Sequence, residues 1–486
     1  MAGRRVVFGA IFAALAASRL CHIRILWPDG DYHLAAAAQI LRGSVPFRDF
    51  WFDKPPLTPL LHVAFGGRDG AGLALGAACY LFLACVLAGF IAGRLWSERE
   101  GLLASALLAF HLVFYLPSAV IPIPVDLAML VPHLAAVACL VAARPALAGV
   151  FAGIAFFFNV KGVFVLAVCL LWKPERFLRI AAGFATVVAA GLAGLAAAGA
   201  LQGYWEQVWV WGLRYAGSSP EPHPYLNGLK RSANWLAFHA LIALGVAVFF
   251  ARERGARLRE AWVWILVSAA AVCVGLRFSP RYYFHLLPAL VIFGARGILL
   301  AAELRRRTVT AAAAALLLIP AIRFGPRYFL LAEDLLLHRP HQWSDVALDQ
   351  DSRAAARIVR SRAGERDTLL VWGYRAGIYV YTDLKAGSRF LDSQPLTGVP
   401  AERHFGVSTP VAPGMARANR AELTRSTPTF IVDALSIHNP SLGLDRFPDL
   451  LPWLAAYDLV GRTPLSLVYM RRHGPGETGF LARRQP

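Results

Sequence analysis

Residues 27–57 concentrate ionisable side chains in a chain that is otherwise mostly apolar. The stretch follows one hydrophobic segment and precedes many more, and its candidates for chemistry are Asp29, Asp31, Asp49, Asp53 and Lys54. A carboxylate at a membrane surface can act as a general base toward a hydroxyl or an amine, and it can hold a divalent cation through its oxygens. The spacing also leaves a structural interpretation open, in which Asp29 or Asp31 caps a helix that begins at Tyr32.

Four further residues at the junctions of apolar runs are candidates for binding an anion. Lys161 lies between two short apolar runs, and the others precede or begin the run at residues 282–302; they are Arg277, Arg281 and His285. A cation within a membrane segment is a functional-site hypothesis by default. A long basic side chain near a helix end can instead snorkel to the interface as an anchor. For His285, packing inside the fold is the alternative to binding phosphate or metal.

The composition identifies the chain that must position these residues as a polytopic membrane protein. It has 486 residues, of which 57% are hydrophobic and 16% are charged, whereas soluble domains are about a quarter charged. The mean hydropathy is +0.51. Several uncharged runs exceed the roughly 18 residues that suggest a spanning helix. One of them, at residues 180–201, is rich in small residues, which favours close helix packing.

The net charge of +19 would suggest nucleic acid as a partner if the chain were soluble. Here the arginines fall mostly in short clusters between apolar runs, as at residues 252–259 and 305–307, which is typical of cytoplasmic loops. We count about eleven spans. With the N-terminus in the cytoplasm, Lys and Arg are more frequent in the predicted inner segments than in the short outer loops. This orientation places residues 27–70, Lys161 and the C-terminal part on the outer side of the cytoplasmic membrane. We therefore expect a multi-pass protein of the cytoplasmic membrane, and we expect no nucleic-acid partner.

The composition changes to that of a soluble domain from residue 323 onward. We therefore predict a transmembrane domain at residues 1–322, with its catalytic first outer loop at residues 27–70, and an extracytoplasmic domain at residues 323–486. Alternating strands and helices predict a small α/β domain. The predicted helices are residues 344–362, 375–381, 415–425 and 447–456, the predicted strands are residues 368–372, 388–391 and 429–433, and a hairpin and a disordered tail follow at residues 457–471 and 471–486. Gly373 and Gly377 form no GxGxxG pattern, so a nucleotide site is not indicated there.

The order of the polar motifs resembles that of the polyprenyl-phosphate-sugar-dependent glycosyltransferases of the C-type (GT-C) fold, which include the protein O-mannosyltransferases and the lipid A aminoarabinose transferases. Members carry an acidic pair and a tyrosine just after the first span, then a surface helix and a D-K-P-P-L-like segment. The matching stretches here are Asp29-Gly-Asp31-Tyr32, Arg48-Asp49-Phe50 and the FDKPPL of residues 52–57. The first pair departs from the Asp-Glu of eukaryotic members because Gly30 separates its two carboxylates.

Two later motifs extend the resemblance over about the first 300 residues. One is the Lys161-Gly162 pair at a predicted extracytoplasmic helix junction, and the other is the P-x-Y-x-x-x-L-L-P pattern of residues 280–288. The C-terminal domain is similar to those of bacterial relatives at residues 370–373 and 469–472. The resemblance implies a GT-C-like membrane fold of transmembrane helices followed by a small α/β domain.

The same resemblance implies a sugar donor carried on a polyprenyl phosphate, with the lipid tail in a groove open to the bilayer and with no nucleotide. The acceptor, which is a lipid, a glycan or a protein, lies outside, and the transfer inverts the anomeric centre. Asp29 is the first candidate for the general base and Asp31 the second, while Tyr32, Asp49 and Asp53 belong to the same loop. The leaving phosphate requires cations or a metal; the candidates are Lys54, Lys161, Arg277, Arg281 and His285, or a divalent cation held by Asp29 and Asp31.

Two functions of other classes also explain part of the sequence. A transporter or flippase for lipid-linked saccharides explains the spans and the cations at membrane level, but it does not explain the acidic first loop. Transporters often contain inverted repeats, and no repeat of fixed period stands out here. A membrane scaffold whose C-terminal domain binds a partner is the third hypothesis, and loss of function on single carboxylate substitutions would argue against it.

Overall fold

The computed structural model describes residues 2–119, 121–218, 223–339, 341 and 343–472, so most of the predicted disordered tail lies outside the described residues. The first two thirds of the chain are helical. The helices of this part are α1 Ala2–Leu20, α2 Pro28–Leu41, α3 Leu57–Ala64, α4 Ala71–Leu95, α5 Glu98–Val113, α6 Leu116–Ala119, α7 Val125–Ala128, α8 Leu130–Val141, α9 Pro145–Phe158, α10 Gly162–Trp172, α11 Phe177–Ala197, α12 Leu201–Tyr204, α13 Trp211–Gly217, α14 Pro224–Phe238, α15 Ala240–Arg252, α16 Ala256–Cys273 and α17 Leu287–Leu337.

The chain forms two compact units whose bounds differ from the predicted domains. The first unit comprises Met1–Ile25 and Asp53–His341, and the second comprises Leu26–Phe52 and Gln342–Pro486. α17 does not end near residue 322, because its apolar sequence continues through Pro320 and Pro326 to Leu337. The predicted first outer loop is divided between the units, so α2 belongs to the same unit as the C-terminal residues.

Three helical segments among the described residues are long and apolar enough to cross a membrane. They are Ala71–Leu95, Pro174–Ala197 and Leu287–Leu337, and the pair Pro224–Phe238 and Ala240–Arg252, bent by 91°, would make a fourth. Only 11% of the most apolar window of Pro174–Ala197 is buried inside the protein. A helix that is apolar on its uncovered faces is suited to lipid rather than water. The helical membrane architecture is therefore supported, while the count of about eleven spans stays a prediction.

Glycines allow neighbouring helices of the first unit to approach closely, as predicted for residues 180–201. A Cβ added to Gly149 of α9 would lie 1.9 Å from the carbonyl oxygen of Ile180, and one added to Gly183 of α11 would lie 2.1 Å from that of Ala146. Both distances are far below a van der Waals contact, so only glycine permits this approach. Small residues serve the same purpose in other membrane helix pairs, where packing rather than the hydrophobic effect favours association.

The second unit contains a five-stranded mixed sheet. Its further helices are α18 Ser344–Arg360, α19 Gly377–Thr382, α20 Gln394–Thr397, α21 Pro413–Leu423 and α22 Leu451–Leu454, and its strands are β1 Thr368–Trp372, β2 Lys385–Ala386, β3 Phe430–Asp433, β4 Tyr457–Arg462 and β5 Leu467–Arg471. The strand order is β2-β1-β3-β5-β4, with β1 parallel to β2 and β3. β5 is antiparallel to both β3 and β4. The predicted α/β character and the terminal hairpin are confirmed.

Two predicted elements of this unit are wrong. The strand at residues 388–391 is absent, and the short β2 pairs with β1 instead. After β2 the chain leaves the sheet edge, and Ser393 accepts a hydrogen bond from the Gly373 N–H at 3.0 Å. The helix predicted at residues 447–456 is reduced to α22. Pro448 and Pro452 lack the N–H donors of a helix and disfavour the helical conformation in the residues before them.

Candidate active site

The acidic pair lies in the first turn of α2, which begins at Pro28, four residues before the predicted start. Proline is favoured at this position because the first turn makes no use of its missing N–H. Trp27 occupies the N-cap position in an extended conformation and makes no side-chain cap. Neither Asp29 nor Asp31 is the cap residue, so the capping interpretation is wrong. The free N–H groups of the first turn still favour a carboxylate there.

Asp31 is held by the backbone of the second unit. Asp31 is only 4% exposed, and its Oδ2 accepts a hydrogen bond from the Gly377 N–H at 2.8 Å. Its Oδ1 is buried and has no hydrogen-bond partner among the described residues. Burial raises the pKa of Asp31 well above the ordinary value, and Asp29 adds to the rise, while the Gly377 hydrogen bond and Arg375 oppose it. Asp31 is thus anchored through one oxygen and desolvated at the other.

Asp29 has a more open environment. It is half-buried, and the hydroxyl of Tyr374 lies 3.5 Å from its Oδ1. The ring of Tyr374 packs against that of Tyr32, with 5.7 Å between the centroids. A carboxylate with partial access to solvent can exchange its proton with a substrate more readily than a fully enclosed one. Of the two candidates, Asp29 has the environment expected of a general base.

The two other predicted members of this loop in the second unit support its local structure. Tyr32 is 1% exposed and stacks on Phe52 with 5.1 Å between the ring centroids. Asp49 accepts hydrogen bonds from the Val45 N–H at 2.7 Å and from Arg48 Nε at 2.8 Å. The hydrogen bond from Arg48 lowers the pKa of Asp49. Asp49 therefore closes a turn through an ion pair with its neighbour.

Asp53 and Lys54 belong to the first unit and form an ion pair. Lys54 Nζ lies 2.8 Å from Asp53 Oδ2, and the Asp53 side chain is 8% exposed against 38% for Lys54. The ammonium also lies 5.8 Å from the ring centroid of Tyr215. Pro56 ends this segment, and α3 begins at Leu57 as predicted. Lys54 is held at one side by a buried carboxylate and remains partly accessible.

Four of the five predicted anion-binding residues gather around Tyr282 in the first unit. Lys161 Nζ lies 3.4 Å from the centroid of the Tyr282 ring, within the range of a cation–π contact. The other three interact electrostatically with the same tyrosine; they are Lys54, Arg277 and Arg281. These residues come from three segments of the sequence and form one region of positive charge.

Arg277 is fixed to the backbone of the aromatic-rich segment. Its Nη2 donates to the carbonyl oxygens of Tyr215 at 2.6 Å and Ser218 at 3.1 Å. Its guanidinium carbon lies 3.7 Å from the Tyr215 ring centroid. The segment at residues 204–235, which is rich in tryptophan and tyrosine, thus supplies a support for this arginine; residues 219–222 of it lie outside the described residues.

Lys161 is positioned by a polar network that involves an unpredicted carboxylate. Asn159 Nδ2 donates to Asp126 Oδ1 at 2.9 Å, and Asn159 Oδ1 accepts from the Lys161 N–H at 3.0 Å. The Lys161 ammonium itself is buried and has no hydrogen-bond partner among the described residues. A buried ammonium without a hydrogen-bond partner is costly. This site is therefore prepared to receive an anion.

His285 is buried beneath this region, and its Nε2 has no hydrogen-bond partner within the described chain. It interacts electrostatically with Lys161. A cavity of about 640 Å³ also opens in the first unit. Its walls include Phe278, which follows Arg277 in the sequence, and Tyr283, which follows Tyr282. This volume lies within the roughly 300–1,000 Å³ of typical ligand sites.

No family model and no curated protein sequence matches the chain. Solved structures do match it over most of its length. One is ArnT from Cupriavidus metallidurans bound to undecaprenyl phosphate, with 15% identity, a TM-score of 0.61 and coverage of 96% of this chain and 98% of that one. Another is the oligosaccharyltransferase of Archaeoglobus fulgidus in a complex with Zn and sulfate, with 13% identity, a TM-score of 0.53 and coverage of 93% and 71%. AglB from the same organism, in complex with an inhibitory peptide and a dolichol-phosphate, has 10% identity, a TM-score of 0.53 and coverage of 98% and 75%.

ArnT is a lipid A aminoarabinose transferase, and both it and AglB are glycosyltransferases of the GT-C fold. This chain has the GT-C fold. The resemblance drawn from the motifs is confirmed at that level, across the membrane helices and the small C-terminal domain together. A fold by itself does not fix an activity, so the reaction must be argued from the side chains.

Sequence reasoning missed Asp126 and the segment that anchors the acidic pair in this GT-C protein. Asp126 is a lone carboxylate in an apolar, proline-rich bend, and that isolation was a usable signal. Gly377, by contrast, lies 346 residues from Asp31 in sequence. Nothing in the local pattern around residue 377 indicates a carboxylate partner.

Asp29 and Asp31 alone provide too few ligands for the predicted metal site. Protein-bound zinc takes about four ligands and calcium six or more. Within the described ranges, no group of three or more His, Cys, Asp or Glu residues is arranged to hold an ion, and one oxygen of Asp31 is already bonded to Gly377. The described residues therefore do not complete a zinc or a calcium site by themselves, whereas two carboxylates together with a substrate phosphate would suit Mg²⁺. The reaction below is derived from the side chains of this chain alone.

Proposed function

We propose that the protein is an integral-membrane glycosyltransferase that transfers a sugar from a polyprenyl-phosphate donor to an acceptor outside the cytoplasmic membrane. The observation that carries the proposal is the gathering of Lys54, Lys161, Arg277 and Arg281 around Tyr282. A region with this many cations at membrane level requires an anion, and the phosphate of a lipid carrier supplies one. The solved structure of ArnT contains undecaprenyl phosphate and that of AglB contains a dolichol-phosphate, and both proteins share the fold.

Asp29 acts as the general base. It takes a proton from the hydroxyl or amine of the acceptor as that group attacks the anomeric carbon. A bond forms between the acceptor atom and the anomeric carbon, and the bond from that carbon to the phosphate oxygen breaks. Attack from the face opposite the phosphate inverts the anomeric configuration. The products are the glycosylated acceptor, a polyprenyl phosphate and a protonated Asp29.

The cations stabilise the leaving phosphate. The electron pair of the broken bond moves to the phosphate oxygen, and negative charge grows there in the transition state. Fixed cations that face developing charge in a site shielded from water lower the barrier more than they would in water. Arg277 is preorganised by its two backbone hydrogen bonds. Lys161 has an ammonium free of other hydrogen bonds among the described residues.

The proposed arrangement in the cell follows from the charge pattern. The N-terminus lies in the cytoplasm, and the C-terminal domain and the acceptor lie outside, in accordance with the excess of Lys and Arg in the predicted inner segments. A donor already carried on a lipid phosphate needs neither a nucleotide nor nucleic acid as a partner. The contacts that the protein makes with its bound substrates determine which sugar it transfers and whether the acceptor is a lipid, a glycan or a protein.

A release assay tests the proposal. Full-length protein in lipid nanodiscs is incubated with a radiolabelled polyprenyl-phosphate sugar and a cell-envelope extract, and free polyprenyl phosphate and labelled product are measured. We expect transfer by the wild type, and its loss in Asp29→Asn. Asp458→Asn is the matched control, because the Asp458 side chain is 62% exposed and forms an ion pair with the exposed Arg472.

Three outcomes would change the assignment. Turnover by Asp29→Asn together with inactive Asp31→Asn would move the base to Asp31. Turnover by both variants would refute the acidic pair as the site. Movement of the labelled donor across the bilayer without release of polyprenyl phosphate would instead identify a transporter.

A further inference from the structure

The residues between β1 and the start of α19 include three that interact with the acidic pair. Tyr374 places its hydroxyl 3.5 Å from Asp29, and Gly377 donates its N–H to Asp31 at 2.8 Å. Between them, Arg375 interacts electrostatically with Asp31. All of these residues belong to the second unit. One short loop therefore contacts both candidate bases.

Arg375 is unusual because it is a guanidinium that is 3% exposed. Its Nε donates to Ser352 Oγ at 2.8 Å and its Nη2 to the Leu348 carbonyl oxygen at 2.5 Å. The same Nη2 lies 3.2 Å from Asp351 Oδ2. Its Nη1 is buried without a hydrogen-bond partner in the described part of the chain. An ion pair between Arg375 and Asp351 uses Nη2, and it does not explain why Nη1 is also buried.

A side chain at residue 377 would press closely on Asp31. A Cβ added there would lie 3.3 Å from Asp31 Oδ2 and 3.4 Å from both Asp31 Cβ and Leu26 Cδ2. These contacts are tight, so alanine would displace the carboxylate by a few tenths of an ångström. The Gly377 N–H can approach Asp31 to hydrogen-bonding distance because the residue has no side chain.

We propose that Arg375 and Gly377 are positioning residues for the acidic pair, through which the C-terminal domain sets the orientation and charge of Asp31 and leaves Asp29 to act on the substrate. The proposal rests on the transferase function argued above and extends it to a part of the chain far from the membrane motifs. Gly377 fixes one oxygen of Asp31. Arg375 supplies a positive charge that offsets the repulsion between the carboxylates of Asp29 and Asp31.

The charged surroundings make this coupling measurable. Asp31 interacts with Asp29 and Arg375, and Arg375 in turn interacts with Asp349, Asp351 and Asp31. His438 also faces Arg375 and Asp351. The acid limb of a pH–rate profile reports the interacting groups of a site together rather than a single residue. Loss of Arg375 removes the cation that favours the ionised form of Asp31, so the limb should move to higher pH.

The first arm of the test compares Gly377→Ala with Gly414→Ala in the full-length protein. Gly414 lies in α21 of the same unit, and a Cβ there meets nothing within 4 Å. We expect Gly377→Ala to lower kcat about tenfold, because small misplacements of a catalytic group are costly, with the donor KM changed less than twofold. Gly414→Ala should match the wild type. Equal kcat in Gly377→Ala and the wild type would overturn the role of Gly377.

The second arm compares Arg375→Gln with the conservative Arg375→Lys. We expect Arg375→Gln to move the acid limb of the pH–rate profile upward by about one pH unit, and Arg375→Lys to restore most of the wild-type profile because it keeps the charge. If Arg375 had only a structural role, Arg375→Gln would lower the amount of folded protein but would not change the pH–rate profile of the protein that does fold. An unmoved profile in Arg375→Gln would overturn the role of Arg375.

A third measurement does not depend on catalysis. The melting temperatures of Asp31→Asn, Arg375→Gln and the double variant form a thermodynamic cycle, and we expect the two shifts to be clearly non-additive because the groups interact. Additive shifts would overturn the proposed contact. If the wild type releases no polyprenyl phosphate from any donor, the proposed function fails, while this cycle still decides whether Arg375 acts on Asp31.

Discussion

Lys161→Met separates a ligand-binding lysine from a structural one, because the two roles predict opposite changes. The Lys161 ammonium lies 3.4 Å from the Tyr282 ring centroid and is buried with no hydrogen-bond partner among the described residues. Methionine keeps the length and the apolar stem of the side chain but removes the charge. The packing around residues 159–162 is therefore perturbed little.

The expected magnitudes follow from these contacts. In the free protein the substitution loses a cation–π contact worth about 2 kcal/mol and the attraction between the ammonium and Asp126, which is smaller than the effect of burial. It also removes a buried ammonium whose desolvation penalty is of at least that size. We expect the melting temperature to stay the same or to rise. With the donor bound, the lost charge-assisted hydrogen bond to phosphate is worth about 1.5–3 kcal/mol, which is a roughly 10- to 150-fold weaker Kd.

The assay is equilibrium binding of a fluorescent polyprenyl-phosphate sugar to the protein in nanodiscs, with thermal unfolding of the same samples. Lys173→Met is the matched control, because the Lys173 side chain is 38% exposed and lies 3.9 Å from Glu260. We expect the control to bind the donor as the wild type does. Unchanged donor binding in Lys161→Met, accompanied by a lower melting temperature, would refute the reasoning and make Lys161 a structural residue.

Three further predictions concern binding, packing and pH. Lys54→Met should weaken donor binding by less than Lys161→Met, since Lys54 is half-exposed and already paired with Asp53; equal losses measured in the same binding assay would contradict this. Gly149→Val should prevent folding, because a Cβ there meets a backbone oxygen at 1.9 Å, whereas Gly194→Val has open space and should elute normally on size exclusion in detergent. Burial raises the pKa of the Asp31 carboxyl above its ordinary value of 3.8, so the folded protein binds the carboxyl proton more tightly than the unfolded chain does. The protonated carboxyl therefore contributes to the stability of the fold below pH 3.8, and this contribution is lost as the pH rises through the raised pKa. The melting temperature of Asp31→Asn should match that of the wild type in acid and exceed it at higher pH, and a difference that does not vary with pH would contradict the burial of Asp31.

The sequence predicted those features that depend on composition and local pattern. Apolar runs indicated membrane helices, small residues indicated close packing, and the short apolar runs of residues 368–372 and 429–433 indicated buried strands. These signals persist because burial and backbone hydrogen bonding act on each segment in the same way in any fold. The resemblance, rather than the local pattern, grouped Lys54, Lys161, Arg277 and Arg281 as candidates for binding phosphate, and all four interact with Tyr282.

Boundaries and partners were not predictable in this way. The apolar sequence of α17 continues past residue 322, so a change in composition did not mark the end of the first unit. Tyr32, predicted to take part in the site, is enclosed by aromatic packing. Asp49 is engaged with Arg48. A polar residue in a functional loop and a polar residue that shapes that loop have the same local sequence, and only the contacts distinguish them.

The division of work between Asp29 and Asp31 illustrates why long-range contacts decide chemistry. In the sequence, two carboxylates separated by one glycine are equivalent candidates for a base. In the folded protein, Gly377 donates to Asp31 and leaves Asp29 half-buried. A carboxylate that is desolvated and hydrogen-bonded to a rigid backbone is poorly suited to exchange a proton with a moving substrate, but it is well suited to fix the start of α2. The same contact that makes Asp31 a weak candidate for the base therefore makes Asp29 a strong one, and it would tie the proposed transfer reaction to the folding of the C-terminal residues.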